Sequence, residues 1–151
     1  MTRVQVVASS VMSLLLISCS SPVGPSSSST LDRFVQALRD EGLRVSLAGQ
    51  ISPSVNGLFS VPAEQLRVND TQVNAFVYRS ADAAAAEAAL ISNDGQPSPT
   101  ARVSWVSTPR FYRQDAMIVL YLGCATEIVD ALQETVGQPI AVGPTPCNLG
   151  R

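Results

Sequence analysis

The chain has 151 residues, 46% of them hydrophobic and 15% charged, with ten basic side chains against twelve acidic ones and no histidine. This is the length and composition of one folded domain with a short appendage. The missing histidine excludes Ser-His-Asp and Cys-His nucleophile systems and removes the commonest zinc ligand, and a weakly acidic balance in which every basic residue is arginine leaves no positive footprint for nucleic acid.

After Arg3, residues 4–17 form an apolar stretch interrupted by Ser9, Ser10 and Ser13. It is shorter than the roughly 20 residues a spanning helix requires. Its basic start, apolar middle and small residue before Cys19 follow the order of an export signal. The run Leu16-Ile17-Ser18-Cys19 resembles the bacterial lipobox. That resemblance implies removal of residues 1–18, acylation of Cys19, and a mature protein held by lipid on the outer side of the cytoplasmic membrane or at the outer membrane. Ser20, in place of an aspartate, implies the outer membrane where the cell has one. An uncut anchor, or an ordinary signal peptide with an incidental cysteine, is the alternative. Two or more acyl chains anchor stably, each buried methylene contributing about 0.8 kcal/mol.

Residues 19–29 are rich in serine and proline and bury nothing, so they read as a tether. About ten such residues span on the order of 16 to 19 Å as a flexible chain. The single domain is expected over residues 30–151. Without Arg3 it carries nine arginines against twelve acids, a net charge of −3.

Within the domain, Thr30 is an expected N-cap, and Leu31, Phe34, Val35 and Leu38 fall on one helical stripe that Gly42 ends. Val45, Leu47 and Ile51 alternate with polar or small residues, as in a half-buried strand. Pro53, Asn56 and Gly57 mark a turn, followed by a short apolar segment at residues 58–61. Residues 65–68 and 72–79, joined by Asn69-Asp70, predict a hairpin. Ser80 or Asp82 caps an alanine-rich helix to about Ile91. Residues 101–108 predict a strand, residues 109–115 a long hairpin connection, and residues 116–122 a central strand covered on both faces. A last helix carries Ile128, Val129, Leu132 and Val136 on one stripe, with Gly137 and Pro139 as stops. The order αβββαββα predicts an α+β fold, a mainly antiparallel sheet of about five strands with helices packed on one face.

Cys124 and Cys147 are a candidate disulfide pair for an exported chain, one that would pin residues 139–151 to the start of the last helix and contribute about 3 kcal/mol. Two independent thiols are the alternative, and the spacing is not that of a CxxC redox motif. A second feature is the cluster Trp105, Arg110, Phe111, Tyr112 and Arg113, since aromatic and arginine side chains favour interface hot spots. Against it, Trp105 shares a face with Val103, and Phe111 and Tyr112 suit the covering of the sheet end.

The alanine-rich helix, Val103-Ser104-Trp105-Val106 with Arg110-Phe111-Tyr112-Arg113, and the strand at residues 118–122 resemble those of small bacterial lipoproteins, tethered α+β domains to which no reaction is assigned. The resemblance transfers no active site. The expectation is a non-catalytic envelope lipoprotein, a binding or structural module with no cofactor and no metal. Its partners are the membrane, through lipid, and another envelope protein. A carrier or sensor of a small apolar ligand, held in a cavity under the helices, is the second reading. A carboxylate-based enzyme is the third.

Overall fold

The computed structural model describes residues 27–98, 102–144 and 147. Cys19, the signal segment and the tether up to residue 26 lie outside the described residues. The described elements are α1 (Ser27–Asp40), β1 (Val45–Ile51), α2 (Pro53–Asn56), β2 (Ala63–Val68), β3 (Thr71–Val77), α3 (Ala81–Ala88), β4 (Pro109–Gln114), β5 (Met117–Leu122), α4 (Thr126–Val136) and β6 (Ala141–Val142). The strands form one sheet in the order β1-β2-β3-β5-β4-β6, each neighbouring pair antiparallel. The α+β class with an antiparallel sheet is therefore the architecture, with six described strands where about five were expected.

Two tight turns set the register. Asn69 at φ 43° and Asp115 at φ 47° take the left-handed conformation that two-residue hairpin loops demand, which short Asx side chains tolerate better than most. Asn69 also ties the β2–β3 turn to the start of β1, its side-chain oxygen accepting the Arg44 amide at 3.0 Å while its own amide donates to Arg44 O at 2.8 Å.

Strand alternation sends successive residues to opposite faces, and each face is buried by a different set of elements. On one face Val73, Ala75, Tyr112, Met117, Val119 and Tyr121 pack with Leu31, Phe34, Val35 and Leu38 of α1 and with Ile128, Ala131, Leu132 and Val136 of α4. On the other, Phe76, Phe111, Ile118 and Leu120 pack under Ala84 of α3, Phe59 and Trp105. Contrary to the expectation of helices on one face, α3 lies opposite α1 and α4. β5 is flanked on both sides by strands and is apolar at every position, so a single helical layer would leave half of its side chains in water.

β1 crosses from one face to the other. Val45 lies in the α1/α4 cluster and Ile51 packs against the opposite one, although an even separation would keep them on the same side. The register slips between Leu47 and Gly49, leaving Ala48 unpaired, and Gly49 adopts φ 139° in that bulge.

Three further boundaries differ from expectation. Residues 109–115 are not a connection: residues 109–114 are β4, paired with β5 through a two-residue turn. The described residues of segment 101–108 are not a strand, because the outer edge of β4 is taken by β6 and the backbone of Val103 pairs instead with the side-chain amide of Gln96, at 2.8 Å to its oxygen and 3.3 Å to its nitrogen. α1 begins by Ser27, so it takes in residues 27–29 of the serine run assigned to the tether.

The sheet gives the domain two ends. The start of α1 lies beside the β4–β5 turn, sharing a cleft of about 220 Å³ with Gln114, Asp115 and Thr135. The opposite end carries the β2–β3 turn, the start of α4 and Cys124, linked by the Asn69 amide donating to Glu127 at 3.4 Å. Six residues of β5 separate the two ends by roughly 17–20 Å.

Candidate functional site

The end remote from α1's start brings together the two cysteines, Thr108 and Arg110. β5 finishes at Leu122, Gly123 donates its amide to Thr108 O at 3.1 Å, and Cys124 precedes Ala125, the N-cap of α4. Tyr121 sets this corner. Its hydroxyl accepts the Ala125 amide at 3.2 Å, and its ring lies so close over Gly123 that a Cβ there would collide with it. Ala125 has no side chain with which to cap α4, and its helix begins with an acidic residue, Glu127, in the first turn.

Cys124 and Cys147 are joined by a disulfide, with Cα atoms 5.6 Å apart. The expected pairing is therefore present, and it fastens Cys147 to the start of α4. The hydroxyl of Thr108, a buried residue only 4% exposed, lies 3.2 Å from Cys147 Sγ and 3.4 Å from Cys124 Sγ. Neither bonded sulfur carries a proton, so the hydroxyl is the donor toward them. Arg110 reaches the same place from β4, its Nη2 4.0 Å from Cys147 Sγ. Arg110 Nε is buried without a hydrogen-bond partner, and the guanidinium joins no ion pair among the described residues.

The five residues read as a surface are not brought together as one. Phe111 and Tyr112 are both fully buried and, as neighbours on β4, point to opposite faces. Trp105 lies on Phe111 edge-on, ring centroids 5.9 Å apart, and its indole donates to Gly95 O at 3.0 Å. Arg113, at the far end of β4, is exposed, and Arg110 belongs to the disulfide corner. A central strand covered on both faces separates adjacent aromatics, so a stretch that looks like one patch in the sequence becomes two core contacts. The Tyr112 hydroxyl has no hydrogen-bond partner among the described residues. Burial pushes its phenol above the ordinary value, while nearby Arg110 opposes that rise and Tyr121 and Asp130 add to it.

Three of the carboxylates act as local clamps. Glu87 of α3 accepts the Tyr78 hydroxyl at 2.9 Å and, through both oxygens, the Ser60 amide at 3.1 and 3.2 Å. It holds the segment carrying Phe59 over the sheet. Burial and, next, this partner push Tyr78 well above the ordinary tyrosine range. Asp94 pairs with Arg102 at 3.6 Å, and the Ser92 hydroxyl, with Arg102, holds its carboxyl below the ordinary value. Asp70 pairs with Arg44 at 3.4 Å on the surface. Among the described residues no group of three or more His, Cys, Asp or Glu side chains is placed to hold a metal ion, and no helix is long and apolar enough to cross a membrane.

The sequence reading found both cysteines from the export signal, but neither Thr108 nor Arg110 as their companions. Thr108 carries no local signal, since its role depends on the β4–β5 pairing that returns Gly123 beside it. No family model, curated protein or solved structure matches this chain.

Proposed function

We propose that this chain is a lipid-anchored protein of the bacterial cell envelope, a non-catalytic binding or structural module held by acylated Cys19. The observation that carries the proposal is the Cys124–Cys147 disulfide. Such bonds persist outside the reducing cytoplasm, the destination that the lipobox-like run Leu16-Ile17-Ser18-Cys19 encodes. The onset of the domain agrees with it. Ser27 stands eight residues beyond Cys19, so fully extended chain could separate α1 from the lipid by at most about 28 Å. Acylation would therefore hold the α1 end within about 28 Å of the lipid and leave the disulfide end, at the other end of the sheet, within reach of another envelope protein. The non-catalytic part of the reading is supported by what the carboxylates do: Glu87, Asp94 and Asp70 serve a loop clamp, a turn and a surface pair.

The test is the intact mass of the full chain recovered from the membrane fraction of a bacterial host. A mass equal to a chain starting at Cys19 plus acyl groups is expected, and Cys19→Ser should yield an unacylated product outside the membrane fraction. A wild-type chain retaining Met1, or an unacylated soluble one, overturns the anchor. Crosslinking from residues at the disulfide end, such as Arg44 or Glu127, should then capture one discrete envelope protein; turnover of a substrate by the purified chain would overturn the non-catalytic reading.

A further inference from the structure

We infer that the Cys124–Cys147 bond is an exchange-active disulfide that accepts two electrons from an external dithiol, rather than an inert staple. Three features converge on it. It is open to attack: Cys147 is exposed and Cys124 half-buried. Its sulfurs face cationic and hydrogen-bonding groups, with Arg110 Nη2 at 4.0 Å from Cys147 and the buried Thr108 hydroxyl within 3.4 Å of both. And Arg110, which makes no ion pair among the described residues, brings its cationic side chain from β4 to the exposed sulfur. Low-pKa cysteines are found in partly exposed, electropositive surroundings of this kind. Cys124 adds a position one residue before the α4 N-cap, where the helix dipole favours negative charge.

The step is ordinary thiol–disulfide exchange. A thiolate of the external dithiol attacks exposed Cys147 Sγ, forming a mixed disulfide; the Cys124–Cys147 bond breaks and its electron pair leaves on Cys124, which departs as a thiolate at the start of α4. The second thiolate of the dithiol then attacks its own sulfur in the mixed disulfide, closing the external disulfide and releasing Cys147 as a thiolate beside Arg110. The protons given up by the dithiol are taken up by whichever protein thiols are protonated at that pH. Net, the dithiol is oxidised and the protein disulfide reduced. Thr108 and Arg110 stabilise the departing sulfurs, and a lower leaving-group pKa speeds the exchange. They are positioning residues for this chemistry. Reduction would remove the covalent link between Cys147 and the start of α4 and leave the Gly143 amide donating to Pro109 O at 2.9 Å.

The inference goes beyond the anchor and can be tested apart from it, on the full chain purified in detergent. In the dithiothreitol-reduced protein, the pH dependence of iodoacetamide alkylation at each cysteine is read by mass. At least one thiol is expected to inflect at least one pH unit below the ~8.5 of a free cysteine. That gives about tenfold more thiolate near neutrality, of which lower nucleophilicity removes about threefold. Arg110→Gln should return the inflection toward the free value and slow reduction of the disulfide by dithiothreitol about three- to tenfold, Arg110→Lys should preserve both, and Arg113→Gln, an equal loss of charge at the other end of β4, should alter neither. Two wild-type thiols that titrate like free cysteine overturn the inference without reference to any variant, as does an Arg110→Gln protein reduced at the wild-type rate. Either result leaves the acylation of Cys19 untouched, and an unacylated chain leaves this measurement untouched.

Discussion

The two faces of the sheet are buried in different ways. One is covered by α1 and α4, whose apolar stripes press Leu38 and Leu132 onto Tyr112, Val119 and Tyr121. The other is covered by one short alanine-rich helix and by irregular chain, with Phe59 and Trp105 set edge-on against Phe76 and Phe111. A helix brings its own backbone hydrogen bonds, so its face needs only apolar side chains. Irregular chain brings few, and here individual polar groups add to them: Glu87 for Ser60, Gln96 for Val103, Gly95 O for the Trp105 indole. The helical face should therefore lose stability only through lost packing, whereas the loop face should also lose it through lost hydrogen bonds.

The largest effects should come from the cores and be alike on both faces. Phe111→Ala on the loop face should cost about 3–5 kcal/mol and Leu132→Ala on the helical face about 2–5 kcal/mol, read from denaturant unfolding. A loop-face cost under about 1 kcal/mol would make Phe59 and Trp105 a loose cover and end the comparison. Next in size, Glu87→Ala should cost about 1–3 kcal/mol by stranding the Tyr78 hydroxyl and the Ser60 amide. Hydrogen exchange should then accelerate at Phe59 and Ser60 before it does at Leu132. The tyrosines sharpen the contrast: Tyr78→Phe gives up a hydrogen bond worth about 1 kcal/mol, while Tyr112→Phe removes a buried hydroxyl that has no partner among the described residues and should be neutral or stabilising.

The same pair fixes an alkaline limit. Burial holds both phenols protonated in the folded protein, with Glu87 adding to the effect at Tyr78. As pH rises past the ordinary tyrosine value of ~10, the unfolded chain releases these protons and the folded one keeps them. The unfolded state then binds fewer protons, so stability, level below that range, falls as pH rises through it. Melting temperatures from pH 8 to 11 should show the decline, and Tyr78→Phe should make it shallower; an identical slope in that variant would remove Tyr78 as its source. The smallest effect belongs to the surface. Arg44 and Asp70 are about four-fifths or more exposed, so Arg44→Ala should change stability by less than about 1 kcal/mol, and that little should vanish in high salt.

The helical face was legible because its signals are local. Leu31, Phe34, Val35 and Leu38 repeat at helical spacing, as do Ile128, Leu132 and Val136, and all seven are buried. The Asn69-Asp70 turn and the Ser80 cap were equally readable, the latter accepting the Ala83 amide at 3.2 Å. The loop face was not. Nothing near Glu87 announces Ser60, 27 residues away, and nothing near Gln96 announces that its amide will occupy the backbone of Val103 in place of a strand.

By itself, then, the sequence determined the stripes of α1 and α4, the alanine-rich α3, the Asn69-Asp70 turn, the uninterrupted apolar β5 and the two cysteines available to pair, because each depends on spacing along the chain or on the count of cysteines. Tertiary structure alone decided that α3 lies opposite α1 and α4, that Phe111 and Tyr112 part company across β4, and that Thr108 and Arg110 meet the disulfide. Those outcomes depend on which strand edge β6 occupies and on how a two-faced sheet is covered, and both are settled by contacts between segments whose partners no local pattern names.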